Sequence, residues 1–224
     1  HRLPAGMAAL AVAGLLAALV AVLIANRQAR RAEAEAEARF AETRAIAKAM
    51  LFDVYGRVSR VSGATEARQS LAETAIRYLD ALAAMRDAPP DVTVEAGRGY
   101  VRLAEVTGGG QQASLGRYAD ANALLSRAAA LLEPAYAARP DDAATALAFA
   151  ALRVEQAGTD LYNNNQPERA RARAIAAEGA TAALAGRDAE AARLHALAIQ
   201  SQGDSFGWND DYAAALSHHL RDRK

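Results

Sequence analysis

The chain has 224 residues, with 26 lysines and arginines against 26 aspartates and glutamates, and it contains no cysteine. A formal net charge of zero creates no overall positive field, which disfavours a nucleic-acid-binding role. The lack of cysteine excludes disulfides and thiolate metal sites. Abundant alanine, with few prolines and aromatic residues, favours packed helices over sheets, and we predict an all-α fold.

The run from Ala5 to Ala25 contains twenty-one residues without a charge, an amide or a hydroxyl. As a helix it would be about 31 Å long, which matches the hydrocarbon core of a bilayer. A signal peptide has a shorter apolar region and a cleavage site, and a buried core helix seldom runs so far without a polar face. We therefore predict a transmembrane segment at residues 1–26, embedded in lipid through residues 5–25. Because the chain opens with His1, we expect it to be part of a longer protein.

Residues 27–62 are predicted to continue the span as one long helix. Glu35 and Arg39 are four residues apart, a spacing that supports an exposed helix. A mostly apolar position recurs every seven residues, at Phe40, Ala47, Val54 and Val61. This stripe has two interpretations: a coiled coil that forms a homodimer through the 40–61 helix, or packing against the next helix of the same chain.

Residues 63–90 are predicted to form the second helix of an antiparallel hairpin. Ser62 and Gly63 interrupt the preceding pattern, and the apolar positions from Leu71 to Met85 then share one helical face. Pro89 follows, and the residue before a proline resists the α-helical conformation, so we expect the helix to end there.

Residues 91–224 are similar to tetratricopeptide (TPR) repeats, in which small and large residues alternate along two paired helices. Small residues let the helices approach closely, and larger ones fill the seam. The predicted packing residues are Tyr100, Leu103, Ala104, Ala121, Leu125, Ala128, Pro134, Gly158, Leu161, Ala170, Ala174, Gly203, Phe206 and Ala215. Ala121, Ala170 and Ala215 are 49 and 45 residues apart, and a standard unit has about 34 residues. We therefore predict an irregular TPR-like α-solenoid whose groove binds a protein or peptide.

The segment from Phe40 to Leu82 resembles the region that follows the membrane span in certain bacterial Ser/Thr protein kinases. The resemblance is carried by Gly-Ala-Thr-Glu-Ala-Arg at residues 63–68 and by Tyr-Leu-Asp-Ala-Leu at residues 78–82, in the order of that family. It implies a kinase domain before the span and TPR-like repeats after it, outside the cytoplasm. The location it implies is the bacterial inner membrane, with a periplasmic C-terminal domain.

The chain itself contains none of the kinase motifs, neither the glycine-rich loop, the strand lysine, the catalytic loop nor the metal-binding aspartate motif. We therefore expect a non-catalytic interaction or sensor region. The alternative is a stand-alone, membrane-anchored scaffold for assembly of a protein complex. Orientation is open on the residues alone, because Arg27, Arg30 and Arg31 follow the span and favour a cytoplasmic C-terminal side.

Other polar clusters predict structural roles, so we predict no catalytic residue, cofactor or metal. The glycines at 108–110 lack the lysine of a phosphate-binding loop. Adjacent His218 and His219 diverge by about 100° on a helix and would need His195 to bind a metal. Aspartates at 141–142 and 210–211 precede helices and are expected to cap them, and the asparagines at 163–165 to form a turn.

Trp208 has two interpretations, a packing residue or an exposed anchor for a bound peptide.

Overall fold

The computed structural model describes residues 3–48, 65–85, 88–109, 114–208 and 211–221. Within these ranges the side chains of residues 3–18, 46–48 and 65–69, and of a few single residues, are not described. Every regular element in the described ranges is helical, so the predicted all-α class is confirmed.

Eight α-helices lie in the described ranges. They are α1 (Leu3–Lys48), α2 (Thr65–Ala83), α3 (Pro90–Gly108), α4 (Tyr118–Ala138), α5 (Ala143–Gly158), α6 (Pro167–Thr181), α7 (Ala189–Gly207) and α8 (Tyr212–Arg221). A π-helical turn, Thr159–Asn163, directly follows α5.

The chain divides into two compact units, residues 1–71 and residues 72–224. The first unit contains α1, which runs for 46 residues without a break. Arg39 forms a 3.2 Å ion pair with Glu35, as the spacing predicts. Phe40 is exposed, and the guanidinium of Arg44 lies 5.4 Å from the centre of its ring.

The described residues give no support to the predicted membrane span. Among them, none of the helices is long and apolar enough to cross a membrane. Residues 5–18 of the predicted span are among those whose side chains are not described. The last part of the 40–61 stripe and the turn of the predicted hairpin fall on residues 49–64, outside the described residues.

In the second unit, each helix from α3 to α8 packs against the helix that follows it along the chain, and α6 contacts both α5 and α7 extensively. Helix α5 also contacts α3 on one side and α7 on the other, so these three helices form a continuous row. Such neighbour-to-neighbour stacking is consistent with an α-solenoid.

Small residues at the helix seams set how closely the pairs pack. Three alanines, Ala157, Ala170 and Ala174, are fully buried around Leu161, where the end of α5 meets α6. A larger cluster of buried side chains joins α5, α6 and α7. The partly buried ring of Tyr136 packs against this cluster and lies nearly parallel to the buried ring of Phe149, with centroids 4.3 Å apart. Burial of apolar surface at these seams is the main favourable contribution to the fold.

Helix starts follow from local residues. Pro90 and Pro167 occupy the first helical positions of α3 and α6, where a missing N–H costs nothing. Asp142 caps α5 by accepting a 2.9 Å hydrogen bond from the amide of Thr145, and Asp211 accepts one from Ala214 at 3.1 Å. Both aspartate caps are confirmed. Helix α2 ends at Ala83, several residues before the proline expected to end it.

Candidate functional site

The predicted packing residues are brought together at the helix seams, with two exceptions. The buried ones are Tyr100, Leu103, Ala104, Ala121, Leu125, Ala128, Gly158, Leu161, Ala170, Ala174, Gly203 and Ala215. Pro134 is exposed inside α4, so its predicted packing role is wrong. Phe206 is half-buried, between the guanidinium of Arg171 at 4.0 Å and the ring of His218 at 5.2 Å.

The Tyr-Leu-Asp motif of α2 has a structural role. Asp80 accepts hydrogen bonds from the hydroxyl of Tyr100 on α3 at 2.5 Å and from Arg127 on α4 at 2.8 Å. Leu79 is buried against Gly99 of α3, at a spot where a Cβ on Gly99 would approach within 2.4 Å of Leu79 Cδ2. The motif therefore joins three helices.

Two exposed aromatic side chains of the second unit lie where the π-helical turn meets α7 and α8. We define the aromatic groove as the open cavity of about 460 Å³ at this position. Its lining residues are Tyr162, Gly203, Asp204, Gly207, Trp208, Ala215 and Leu216. The side chains of Tyr162, Trp208 and Leu216 are 39%, 46% and 60% exposed, although each is large and apolar over most of its surface.

Two hydrogen bonds fix the aromatic rings of the groove. The hydroxyl of Tyr162 donates to Asp204 Oδ2 at 2.8 Å, and the indole N–H of Trp208 donates to Asn165 Oδ1 at 2.5 Å. The two rings meet edge to face, with centroids 5.9 Å apart and planes at 81°. Because the rings are held before any ligand arrives, a partner would lose little side-chain entropy on binding them.

Local backbone geometry explains how the groove forms. The π-helical turn carries Tyr162, and two residues after the turn Asn165 has a positive φ of 52°, a conformation that asparagine tolerates well. On α7, Gly203 and Gly207 are one helical turn apart and lack side chains, so no side chain from these two positions fills the groove. Burial, followed by the hydrogen bond to Asp204, raises the pKa of the Tyr162 hydroxyl, which stays protonated and keeps donating.

The interpretation of Trp208 as an exposed anchor agrees with this geometry. Its ring is nearly half exposed and its indole N–H is already hydrogen-bonded, so the exposed part of the side chain is apolar. In the sequence, an exposed anchor was one of two interpretations of Trp208, and no pattern indicated that Tyr162 belongs to a binding surface. A local sequence pattern could not indicate the position of Tyr162, because its hydrogen bond to Asp204 joins residues that are 42 positions apart in the sequence.

The three histidines that a metal site would have needed are not brought together in the described residues. His195 Nδ1 lies 3.0 Å from the hydroxyl of Thr181, whereas His218 stacks on Phe206, and the side chain of His219 is not described. No group of three metal-binding side chains occurs in the part of the chain that the structure describes. Gly108 and Gly109 end α3, and the third glycine of that run lies outside the described residues.

Comparison with known proteins gives no relative from which to transfer a role. No protein-family model, no curated protein and no solved structure matches the chain.

Proposed function

We propose that the chain is a non-catalytic helical-repeat region that binds a segment of another protein, with the aromatic groove as its binding surface. The observation that carries this proposal is the pair of exposed aromatic rings, Tyr162 and Trp208, locked by hydrogen bonds beside Leu216. Aromatic anchors in desolvated pockets dominate the energetics of protein interfaces.

The expected ligand is an amphipathic helix of the partner protein. Helix α8 extends the apolar surface of the groove, because Leu216 and Leu220 are one helical turn apart and 60% and 52% exposed. An amphipathic helix presents apolar side chains at the same spacing and can lie along such a strip. The glycines of α7 leave room for this close approach.

A displayed library of helical peptides provides the test. Peptides selected on the full chain are synthesised with a fluorophore, and their binding is measured by anisotropy. We expect apolar residues at positions i and i+4 in the selected peptides. Trp208→Ala and Leu216→Glu should each weaken binding by about thirtyfold or more, the range of an interface hot spot. The matched control is Ile175→Glu, because Ile175 is 54% exposed on α6, outside the groove. Failure to select any peptide, or undiminished binding to both groove variants, contradicts the proposal.

We also propose that residues 5–25 anchor this region in the bacterial inner membrane. The support is the uncharged run of twenty-one residues in the sequence. Each lysine at the centre of a span costs about 3 kcal/mol of insertion free energy. Alkaline extraction of membranes should therefore leave the wild-type chain in the pellet and release a variant with Ala13→Lys and Leu16→Lys, two positions near the middle of the run. A wild-type chain found entirely in the supernatant contradicts the anchor and leaves the groove proposal unaffected.

Attachment to a Ser/Thr protein kinase is the third part of the proposal, with a periplasmic position for the repeats. It is supported by the resemblance of residues 63–68 and 78–82 to the region after the span in that family. The gene sequence upstream of His1 is the direct test. A kinase domain there supports the attachment, whereas a start codon shortly before His1 supports the alternative, a stand-alone membrane-anchored scaffold.

A further inference from the structure

A second cavity, which we call the polar cleft, lies between α4, the end of α5 and α6. Its volume is about 240 Å³, several times the roughly 30 Å³ that one water molecule occupies. Its lining residues are Asn122, Leu125, Ser126, Gln156, Thr159, Asp160, Asn164, Arg169 and Arg173. All of them except Leu125 carry a hydrogen-bonding side chain, so the cleft suits a polar ligand.

A buried carboxylate orients two arginines at the cleft. The side chain of Asp160 is only 4% exposed, and its Oδ2 lies 2.6 Å from Nε of Arg173 and 3.4 Å from Nε of Arg169. Its Oδ1 accepts a hydrogen bond from the side-chain amide of Asn164 at 3.2 Å. Asp160 Oδ2 is therefore within ion-pair distance of both guanidinium groups, although it accepts no hydrogen bond from the described residues.

The charges at the cleft leave an excess of positive charge. Asp160 balances one of its two arginines, and the adjacent Arg153 pairs with Glu133 at 3.0 Å. Burial, together with the like charges of Arg169 and Arg153, lowers the pKa of the Arg173 guanidinium despite the opposing effect of Asp160. Among the described residues, the two terminal nitrogens of Arg173 have no hydrogen-bond acceptor. An anion in the cleft would accept from them.

Thr159 provides an independent sign of a missing ligand. It is 1% exposed, and its hydroxyl has no hydrogen-bond partner among the described residues. A buried hydroxyl without a protein partner is costly, and in native proteins such groups are rare and are accounted for by strain, by a catalytic role, or by a bound water or ion. Thr159 begins the π-helical turn, in which its carbonyl accepts from the amide of Asn164 at 3.1 Å. Single π-helical turns are frequent at functional sites.

We propose that the polar cleft binds the oxyanion of a small molecule, a carboxylate or phosphate group, through the guanidinium of Arg173 and the hydroxyl of Thr159. Arginine suits this role because its planar donors match the spacing of oxyanion oxygens. The remaining polar lining, with Asn122 and Ser126 on α4, faces the rest of the ligand. This site is separate from the aromatic groove, and its existence does not depend on the proposed protein partner.

The test is titration of the full chain with inorganic phosphate and, separately, with acetate, at constant ionic strength set by chloride. Binding is followed by backbone amide chemical shifts. We expect saturable shifts at Thr159 and Arg173 with at least one of the two anions. Saturation by phosphate identifies a phosphate-bearing ligand, and saturation by acetate identifies a carboxylate. If neither anion gives saturable shifts at these residues, the proposal is overturned.

Two conservative variants separate binding from folding. Thr159→Val keeps the shape of the side chain and removes only a hydroxyl without a partner, so the unbound variant should melt at the same temperature or higher. Its affinity for the anion should fall about tenfold, the effect of one lost hydrogen bond at the upper end of its range. Arg173→Lys should also weaken binding, because lysine lacks the planar fork. Arg187→Gln is the matched control, an exposed arginine outside the cleft. Unchanged affinity in Thr159→Val overturns the proposal.

Discussion

The hydroxyl of Tyr100 on α3 donates a 2.5 Å hydrogen bond to the carboxylate of Asp80 on α2. The ring of Tyr100 is buried, and Arg127 of α4 bonds the same Asp80 oxygen at 2.8 Å. One carboxylate therefore connects α2, α3 and α4 at the start of the second unit.

Tyr100→Phe removes this hydrogen bond and keeps the ring. We expect the free energy of unfolding to fall by about 1 kcal/mol, because Asp80 is partly solvated and retains Arg127. Urea unfolding measures the change. Tyr118→Phe is the matched control, since Tyr118 is 50% exposed and should show no loss. Equal stability of the two variants would show that the bond contributes nothing.

Alkaline pH should weaken the same interaction. Burial of Tyr100, and then its hydrogen bond to Asp80, raise its pKa above the usual value of 10.0. The folded state therefore keeps the phenol proton at a pH where the unfolded state has lost it, so the stabilisation is complete below about pH 10 and declines above it. Urea unfolding at several pH values should show wild type approaching Tyr100→Phe as the pH rises. A constant difference between the two proteins through this range would refute the assignment.

Two glycines in helices should respond to alanine with opposite signs. A Cβ on Gly97 of α3 would lie within 2.5 Å of Cγ of the fully buried Leu132. Overpacking costs about 1–3 kcal/mol and outweighs the gain in helix propensity of roughly 1 kcal/mol, so Gly97→Ala should lower stability. A Cβ on Gly179 of α6 would meet no atom within 4 Å, so Gly179→Ala should raise stability. Thermal melting of both variants checks the signs, and a stabilised Gly97→Ala would show that Leu132 can move aside.

The N-cap of α5 predicts an acid-sensitive contribution to stability. Hydrogen bonds from the side chain and then the amide of Thr145 lower the pKa of Asp142. The stabilisation is therefore complete above the pKa of the unfolded state, near pH 4, and is lost as the pH falls through the lower folded pKa. Asp142→Ala should cost about 1 kcal/mol at neutral pH. The neighbouring Asp141→Ala serves as control, and a similar loss there would contradict a specific cap.

The ion pair of Asp160 should depend on Arg173 far more than on Arg169. Arg173→Gln leaves a buried carboxylate without its close partner, and we expect a loss of about 3 kcal/mol in the free energy of unfolding. Arg169 is 57% exposed and 3.4 Å away, so Arg169→Gln should cost less than about 1 kcal/mol. Denaturant unfolding measures both losses. Similar losses in the two variants would mean that Asp160 is balanced by the surrounding field rather than by Arg173.

Much of the second unit could be predicted from local sequence. Alanine-rich periodicity indicated helices, and the proposed repeat positions from Tyr100 to Ala215 fall at seams between paired helices. Aspartates before helices predicted caps, which Asp142 and Asp211 confirm. These features depend on neighbours within one or two helical turns. Pro134 shows the limit of this reasoning, since the repeat pattern predicted it as a packing residue, whereas it is exposed within α4.

The two candidate sites could not be predicted because their residues meet only after the helices pack. Tyr162 pairs with Asp204 across 42 residues, and Trp208 bonds Asn165 across 43. No periodicity in the sequence links such positions. Nothing in the local sequence distinguishes Asp160 from other charged residues. In the folded chain the π-helical turn buries it against the arginines of α6.

The sequence by itself determined that the chain forms helices, where most of them begin and which positions carry small side chains. It did so because helix propensity, capping and amphipathic spacing are local properties. Only the tertiary structure decided which polar groups are buried together and which aromatic rings stay exposed. Burial and charge pairing depend on the close approach of distant segments, and that approach is set by how the helices stack.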